Sequence, residues 1–430
     1  MGGATIDRNS RAKRYNPYKP NDIIHAGMFV GRLDEIDAIE RCLFQTKNGN
    51  PQHFLVQGER GIGKSSLLFI VNMIACGNIT TQNGEYFRFL SVPLDLGGCN
   101  TQAEVVRKIG RGLRKEIGAR QALRERAKVV WEWLTNWEIL GVSYNKASES
   151  FDAEEVAEQF VENLSAFCNV TSDEVDGILF LIDEADRPSV EVGLGSYLKL
   201  VSERLRWQNC QRVVFGLAGL PVLLSKLRES HESSPRLFQT FSLEQLSTDE
   251  RTRVVERGLE EAEERNGYKT HISPEALKFL AELSEGYPHF VQQFAYSAFE
   301  QDRDNNITID DVGEAAYKDG GALSQLGDKY FSTMYHSRIA SDDYRAVLHE
   351  MANFGDQWVS RKQILAGSGL AGTTVTNALN ALKAREIILA DESRKNRGFY
   401  RLPTKSFAAW IKAFRSIQES GISTEEGVNF

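Results

Sequence analysis

A glycine-rich loop that ends in lysine and serine carries the clearest chemical signal in this sequence. The pattern Gly58-x-x-x-x-Gly63-Lys64-Ser65 follows a short apolar run, residues 53–57, and precedes the helical pattern SSLLFIVNMIA. Glycines at this spacing let backbone N–H groups surround phosphate oxygens, and the start of the following helix adds partial positive charge. The lysine then reaches the β- and γ-phosphates, and the serine hydroxyl binds Mg²⁺. The loop therefore predicts a site for ATP and Mg²⁺ formed by Gly58, Arg60, Gly61, Ile62, Gly63, Lys64, Ser65 and Ser66.

Two carboxylates follow the most apolar run of the chain, residues 177–182. We expect Asp183 to hold the magnesium ion, directly or through water, together with Ser65. Glu184 is placed to orient or deprotonate a water in line with the γ-phosphate. Although the letters Asp183-Glu184-Ala185-Asp186 suggest a helicase, no second set of alternating strands and helices follows residue 247, so we do not expect one.

The elements that must position these residues alternate between strands and helices up to about residue 246. Continuous apolar strands of this kind predict a parallel sheet covered by helices on both faces, which is the α/β class. A helical and tryptophan-rich stretch at about 100–165 is an insertion, and the alternation in WEWLTNWEILGVSY predicts a hairpin. We interpret Trp131, Trp133 and Trp137 as packing residues rather than as a platform for stacking bases.

Charge and composition exclude several classes of protein. The chain has 51 basic and 59 acidic residues, a net charge of -8, and an evenly acidic surface would repel DNA and anionic lipid. The charge is uneven, because residues 358–415 carry eleven basic and three acidic residues. No apolar run approaches the ~20 residues of a membrane helix, and the five cysteines are scattered. We expect a cytoplasmic protein with reduced thiols and no membrane contact.

These motifs together resemble AAA+-type ATPases. The similarity rests on Phe29-Val30-Gly31-Arg32, the phosphate-binding loop, the strand ending in Asp183-Glu184, and Gly286-Tyr287-Pro288. It points to the branch that joins origin-recognition initiators with the STAND-like signalling ATPases of prokaryotes, and it covers about residues 22–415. The resemblance implies a P-loop parallel-sheet ATPase core, a helical lid and a C-terminal winged-helix domain. It also implies that Val30, Gly31 and Arg32 pack on the adenine.

The resemblance further implies a boundary for each part and a role for the lid. We expect a flexible basic arm over residues 1–21, the ATPase core over 22–246, and the lid over 247–335. The winged helix follows over 336–418, with a tail over 419–430. The lid is expected to close over the nucleotide with Pro288 and His289, where initiators carry an arginine that senses the γ-phosphate.

Two further positions concern catalysis. Ser234-Pro235-Arg236-Leu237-Phe238 resembles the segment from which a neighbouring subunit donates an arginine, so Arg236 joins Lys64 and Glu184 as a catalytic candidate; the alternative is an exposed structural arginine. The fourth strand ends in Leu217-Ala218-Gly219 and lacks the polar side chain that the family usually has there. We therefore expect slow hydrolysis, which makes the nucleotide a switch more than a fuel.

The C-terminal pattern predicts a winged helix in which residues 371–382 form the recognition helix. In a DNA-binding version, Thr373, Thr374 and Asn377 face the major groove, and Arg394, Lys395 and Arg397 contact phosphates or the minor groove. Winged helices also serve as protein-interaction modules, so two functions stay open. One is an ATP-dependent switch that assembles with like subunits or partner ATPase subunits and engages DNA; the other is a STAND-like signalling or defence ATPase that acts on a partner effector protein. A nearly inactive nucleotide-binding scaffold is a third.

Overall fold

The chain divides into two units, which are described separately. The computed structural model describes residues 14–24, 26–80, 84–143, 153–332, 335, 338–339, 341–385, 387–391 and 398–419. One unit is Ile23–Glu244, and the other combines the N-terminal residues up to Asp22 with the chain from Gln245 onward. In the described part of the chain, no helix has the length and apolar character that crossing a membrane requires.

Five parallel strands form the centre of the unit Ile23–Glu244, which confirms the predicted α/β core. Their order in the sheet is β2-β3-β4-β1-β5. The register pairs Asp95 with Asp183 and Gln57 with Gly219, so four strands reach the same carboxyl edge. The strands are β1 (His53–Gln57), β2 (Phe89–Asp95), β3 (Gly177–Asp183), β4 (Val213–Gly219) and β5 (Phe238–Ser242).

Among the described residues of this unit, eight helices and three short 3-10 turns surround the sheet. They pack on strands that are apolar on both faces, and Phe180 of β3 stacks on Phe215 of β4 with ring centroids 5.3 Å apart. The helices are α1 (Leu33–Lys47), α2 (Lys64–Ala75), α3 (Gln102–Gly118), α4 (Gln121–Arg126), α5 (Lys128–Ser143), α6 (Ala153–Val170), α7 (Leu194–Trp207) and α8 (Val222–Ser230). The turns are Ala26–Met28, Val190–Val192 and Ser234–Leu237.

The prediction of a hairpin in the tryptophan-rich insertion is wrong, because this stretch is part of helix α5. Val130 and Leu134 lie four residues apart, and both are almost fully buried, as one face of a helix requires. Trp131 and Trp133 are partly buried against the same core. Their packing agrees with the interpretation of these two side chains as core residues, while the side chain of Trp137 lies outside the described residues.

Helices dominate the first part of the second unit. Short strands β6 (His271–Ile272) and β7 (Asn306–Ile307) pair in parallel among them. Ser247 and Thr308 begin their helices with capping boxes, in which each side chain exchanges hydrogen bonds with the residue three positions later. The helices are α9 (Thr248–Asn266), α10 (Pro274–Leu283), α11 (Pro288–Gln301), α12 (Ile309–Tyr317) and α13 (Ala322–Leu326), followed by a π-helical turn, Gly327–Phe331.

In the C-terminal part of the same unit, the described residues form a three-stranded antiparallel sheet and four helices. The strand order is β8-β10-β9, and the elements follow one another as helix, strand, helix, helix, strand, strand, helix. Val375, Leu379 and Leu382 bury one face of the fourth element against this small core. The elements are α14 (Asp342–Ala352), β8 (Val359–Ser360), α15 (Arg361–Ser368), α16 (Gly372–Ala384), β9 (Leu389–Ala390), β10 (Phe399–Arg401) and α17 (Lys405–Glu419).

The N-terminal segment differs from the flexible arm that the sequence suggested. Residues 1–13 lie outside the described residues, but residues 15–19 form hydrogen bonds with residues of α9 and α11. Tyr18 is 2% exposed, and its hydroxyl donates a hydrogen bond to Val255 O at 2.7 Å. Arg14 pairs with Asp302 at 2.8 Å and lies 3.9 Å above the ring centroid of Phe299. Burial of an aromatic ring and a paired charge fixes this segment, which the basic composition alone did not reveal.

We predict that Tyr18→Ala destabilises the second unit, because it leaves a cavity where an aromatic ring was buried. The expected loss in the free energy of unfolding is about 3 kcal/mol. The matched control is Tyr268→Ala in the same unit, since Tyr268 is 40% exposed. Denaturant unfolding of the two variants measures the difference, and equal losses would show that residues 14–22 do not stabilise this unit.

Candidate nucleotide-binding site

The loop between β1 and α2 has the backbone shape of a phosphate cradle. Gly61 and Gly63 have φ values of 80° and 99°, in the left-handed region that favours glycine. Gly63 is the N-cap of α2, so the helix begins with Lys64. The first N–H groups of the helix therefore face the concave side of the loop. The N-terminus of the helix adds its partial positive charge at the same place.

Lys64 is folded back over its own loop. Its Nζ donates hydrogen bonds to Gly58 O at 2.8 Å and to Glu59 O at 2.7 Å. Burial lowers the pKa of the Lys64 ammonium, and the carboxylates of Asp183, Asp186 and Glu59 oppose that shift. The ammonium thus stands beside acidic groups in the cradle, where a phosphate oxygen can replace the two carbonyl oxygens as its acceptor.

The serine of the loop and the aspartate that ends β3 meet at the carboxyl ends of the strands, which we call the carboxyl edge of the sheet. Ser65 Oγ donates a hydrogen bond to Asp183 Oδ2 at 2.5 Å. Asp183 Oδ1 accepts from the backbone N–H of Glu184 at 2.8 Å, which fixes the orientation of the carboxylate. A hydroxyl and a carboxylate are oxygen ligands of the kind Mg²⁺ takes beside nucleotide phosphates. The donor set therefore fits a magnesium ion.

Glu184 begins the turn after β3 in an unusual conformation. Its φ is 48°, which is left-handed and uncommon outside glycine. Its side chain is about half exposed, and Oε1 lies 3.4 Å from the guanidinium of Arg187. A Cβ at Gly97 would come within 2.9 Å of Glu184 Oε2, so the glycine leaves room for this carboxylate. The geometry presents Glu184 at the open edge of the sheet.

Val30, Gly31 and Arg32 lie next to the phosphate-binding loop. Gly31 and Arg32 have φ values of 77° and 63°, and this turn starts α1. The Arg32 guanidinium donates to Ile62 O at 3.5 Å and also to the carbonyl of Glu244. The structure therefore brings the segment expected at the adenine together with the loop expected at the phosphates.

Arg236 lies at the amino ends of the strands, on the side of the sheet opposite to the phosphate-binding loop. It belongs to the turn Ser234–Leu237 before β5, whose first residue, Phe238, pairs with His53 at the start of β1. It is exposed, and it lines a cavity of about 420 Å³ with Arg206. Burial lowers the pKa of His53 in this cavity wall to about 4, with a smaller contribution from Arg206. Within one chain, the structure does not bring Arg236 to the phosphate-binding loop.

Pro288 and His289 belong to the other unit, where they begin α11. The His289 ring lies 5.3 Å from Tyr330 and 6.3 Å from Phe290, between centroids. The preceding Glu285 accepts a hydrogen bond from the backbone N–H of Ser406. Burial raises the pKa of Glu285 to about 7. The expected contact of Pro288 and His289 with the nucleotide stays a prediction.

Sequence reasoning missed two acidic residues beside this site. Lys108 donates to Asp95 Oδ1 at 2.9 Å, and this hydrogen bond is the main reason why the pKa of Asp95 is lowered. Asp186 is 8% exposed, and its Oδ1 accepts from the N–H of Leu220 at 3.0 Å. The only sequence signal was the position of each residue, Asp95 at the end of its strand and Asp186 in the run of acidic letters after β3.

A parallel sheet with a phosphate cradle, a serine–aspartate pair and an adjacent glutamate defines a P-loop nucleotide hydrolase fold. Residues 28–203 match the family described as AAA ATPase domain. The ORC2 protein of Aeropyrum pernix, in its ADPNP–ADP complexes, has a TM-score of 0.54 and 15% identity. That match covers 95% of this chain and 98% of that chain. Residues 28–203 are thus similar to the AAA ATPase domain family, and the chain shares the fold of the ORC2 protein of Aeropyrum pernix.

Two other solved structures show weaker likenesses. The ORC1 protein of Aeropyrum pernix in complex with DNA has a TM-score of 0.39 and 14% identity, covering 91% of this chain and 94% of that chain. RuvB of Thermotoga maritima has a TM-score of 0.41 and 14% identity, covering 91% and 95%. No curated protein sequence matches this chain.

We predict that Lys64→Ala weakens ATP binding by roughly tenfold to a hundredfold, the equivalent of about 1.5–3 kcal/mol for a charged hydrogen bond. The ammonium is the charge that the loop presents to the phosphates. Lys115→Ala is the control, because Lys115 is an exposed lysine of the same unit on α3. Calorimetric titration with ATP and Mg²⁺ measures both variants, and undiminished affinity in Lys64→Ala would place the nucleotide elsewhere.

Proposed function

We propose that this protein binds ATP with Mg²⁺ at the loop of Gly58–Ser65 and hydrolyses it slowly, as a molecular switch of the AAA+ type. The observation that carries the proposal is the 2.5 Å contact between Ser65 Oγ and Asp183 Oδ2, beside the ammonium of Lys64. The nucleotide-bound state of the ORC2 protein of Aeropyrum pernix, which shares this fold, supports the same conclusion. Mg²⁺ supplies charge neutralisation between the phosphates when it is bound.

Each residue of the site has a part in this chemistry. Backbone N–H groups at the start of α2 hold phosphate oxygens, and Lys64 neutralises charge on the β- and γ-phosphates. Ser65 and Asp183 would hold the metal ion. Glu184 accepts a proton from the attacking water, or orients that water, from the turn after β3. Val30, Gly31 and Arg32 would pack on the adenine.

Three features of the site support the proposal of slow turnover. The end of β4 has no polar side chain at Gly219, and the Glu184 carboxylate lies beside Arg187. Arg236 lies at the far edge of the sheet, so its charge reaches a nucleotide only in a second subunit. A site completed by a neighbour hydrolyses ATP in the assembled state, and the nucleotide then reports whether like subunits or partner ATPase subunits have assembled. We propose Arg236 as the catalytic residue supplied across that interface.

The C-terminal part of the second unit is proposed to be a winged helix that engages DNA. Its helix–strand–helix–helix–strand–strand order and the β8-β10-β9 sheet support this assignment. On α16, Thr373, Asn377 and Asn380 are exposed along one face, while Thr374 is half-buried. Arg361 donates to Thr376 Oγ1 at 3.0 Å and so holds α15 against α16. The basic residues Arg394, Lys395 and Arg397 lie outside the described residues.

We predict that Glu184→Gln retains ATP binding and loses turnover by about a hundredfold, because the amide accepts no proton from water. The affinity for ATP should change little, since the phosphate cradle and the metal ligands remain. The control is Glu116→Gln on α3 in the same unit. Phosphate release and nucleotide binding are measured on the same preparations. Equal turnover by Glu184→Gln and the unaltered protein would contradict the assignment of the base.

We predict that Arg394, Lys395 and Arg397 changed together to Glu strongly weaken DNA binding that is sensitive to salt. Loss of three phosphate contacts should reduce the slope of log affinity against log salt by about 2.7 for duplex DNA. A matched triple change to Glu at Lys115, Arg124 and Lys128, exposed residues of the ATPase unit, should leave affinity unaltered. If the unaltered protein binds no DNA, the function is that of a STAND-like signalling ATPase that acts on a partner effector protein.

A further inference from the structure

The end of β4 holds a glycine that backbone conformation does not explain. Gly219 is absent from the residues with positive φ, so other amino acids can adopt its backbone geometry. The register pairs Gly219 with Gln57, the last residue of β1 before the phosphate-binding loop. A side chain at position 219 would therefore stand beside the nucleotide site. What requires glycine here must be the space around its Cα.

That space is filled by a carboxylate from the turn that follows β3. A Cβ at position 219 would meet Asp186 Oδ1 at 2.7 Å and Leu223 Cδ2 at 2.9 Å. Both side chains are buried, Leu223 with 1% and Asp186 with 8% exposure. Asp186 thus places its polar group where the side chain of residue 219 would otherwise be.

Asp186 also fastens the turn that follows β3 to the end of β4. The backbone N–H of Leu220 donates to Asp186 Oδ1 at 3.0 Å, and the N–H of Ala185 donates to Ala218 O at 2.9 Å. On the other side, Lys226 Nζ donates to the backbone carbonyl of Asp186 at 2.7 Å. Three hydrogen bonds therefore hold one short turn, and Glu184 is its first residue.

Glu184 needs such a support because its backbone is left-handed. A residue other than glycine at φ 48° persists only where its surroundings determine the conformation. The Asp186 carboxylate belongs to the electrostatic surroundings of Lys64 as well, because it is one of the charges that oppose the lowering of the Lys64 pKa. One buried carboxylate thus contacts the end of β4, supports the turn of the proposed base and acts on the loop lysine.

We propose that Asp186 is the positioning residue that takes the place of the polar side chain missing at Gly219, and that it acts by holding Glu184 in line with the bound nucleotide. This proposal rests on the proposed ATPase function and deepens it. The oxygen that accepts from Leu220 is the working group, so an amide at position 186 can replace the carboxylate. Gly219 is glycine because any larger residue displaces that oxygen.

The first test separates turnover from binding. Asp186→Ala leaves the N–H of Leu220 without its acceptor and loosens the turn, so turnover should fall by about tenfold or more, as for other small displacements of catalytic groups. The dissociation constant for ATP should stay within about threefold, because the phosphate cradle is intact. Asp186→Asn keeps an acceptor oxygen and should retain at least about a third of the turnover. Unaltered turnover in Asp186→Ala would overturn the proposal.

A double-mutant cycle tests the shared space directly. Gly219→Ala drives a Cβ into the Asp186 carboxylate and should lower turnover by a factor similar to that of Asp186→Ala. In the Asp186→Ala background, Gly219→Ala should cost little more, because the group that it displaces is already gone. Gly219→Asn in that background should restore turnover, since it returns a polar side chain to the end of β4. Additive losses in this cycle would contradict the proposal.

Asp176→Asn is the matched control, because Asp176 is also a buried aspartate beside β3 but at its amino end. It is 8% exposed, and its Oδ2 accepts from the N–H of Arg88 at 2.7 Å. Its turnover should equal that of the unaltered protein. Thermal melting of all variants checks that they are folded. If Asp186→Ala is too unstable to purify, reduced turnover in Gly219→Ala together with retained turnover in Asp186→Asn supports the proposal. Retained turnover in Gly219→Ala together with reduced turnover in Asp186→Asn overturns it. Absence of ATP binding in the unaltered protein would instead reject the ATPase function itself.

Discussion

The meeting of Ser65 and Asp183 at one edge of the sheet is the contact on which the rest of this site depends. Ser65 is the second residue of the helix after β1, and Asp183 ends β3, with β4 between these two strands. Because all three strands are parallel, their carboxyl ends reach the same edge, and a 2.5 Å hydrogen bond joins the two side chains. An oxygen pair suited to Mg²⁺ thus comes from strand direction as much as from residue type.

The same constraint separates the sheet into two edges with different chemistry. The carboxyl edge gathers the phosphate-binding loop, the acidic residues and Lys108. The amino edge holds Arg236 and the buried, neutral His53, whose Nδ1 accepts from Phe215 N at 3.1 Å. A single ATPase unit therefore has its phosphate cradle on one side and its candidate arginine on the other. This separation is the basis of our proposal that a second subunit supplies Arg236.

The sequence allowed the phosphate-binding loop and Asp183-Glu184 to be predicted because each lies within a few residues of a strand. Short-range patterns of this kind determine local backbone geometry, and the α/β core followed from apolar runs. The prediction of a hairpin in the tryptophan-rich stretch was wrong, because Val130 and Leu134 bury one face of a helix. The letters Trp131-Glu132-Trp133 between them alternate as a strand would. Local pattern cannot decide between two periods when the packing partner is unknown.

Contacts between distant residues could not be predicted. Tyr18 contacts a carbonyl 237 positions away, and only the gap left by Gly258 makes room for its ring. The sequence showed that position 219 has no polar side chain. It did not show that Asp186 lies there instead, because Leu220 and Asp186 are 34 positions apart in the chain. A missing residue in a motif is therefore a reason to ask which neighbouring side chain occupies the space.

The stoichiometry and metal dependence of ATP binding test the central claim most directly. The account predicts one ATP per chain, bound more tightly with Mg²⁺ than with excess chelator, and loss of the Mg²⁺ effect when Ser65 is changed to alanine. Calorimetric titration of the full chain gives both quantities in one experiment. No binding, or an affinity that is indifferent to Mg²⁺ in the unaltered protein, would contradict the account.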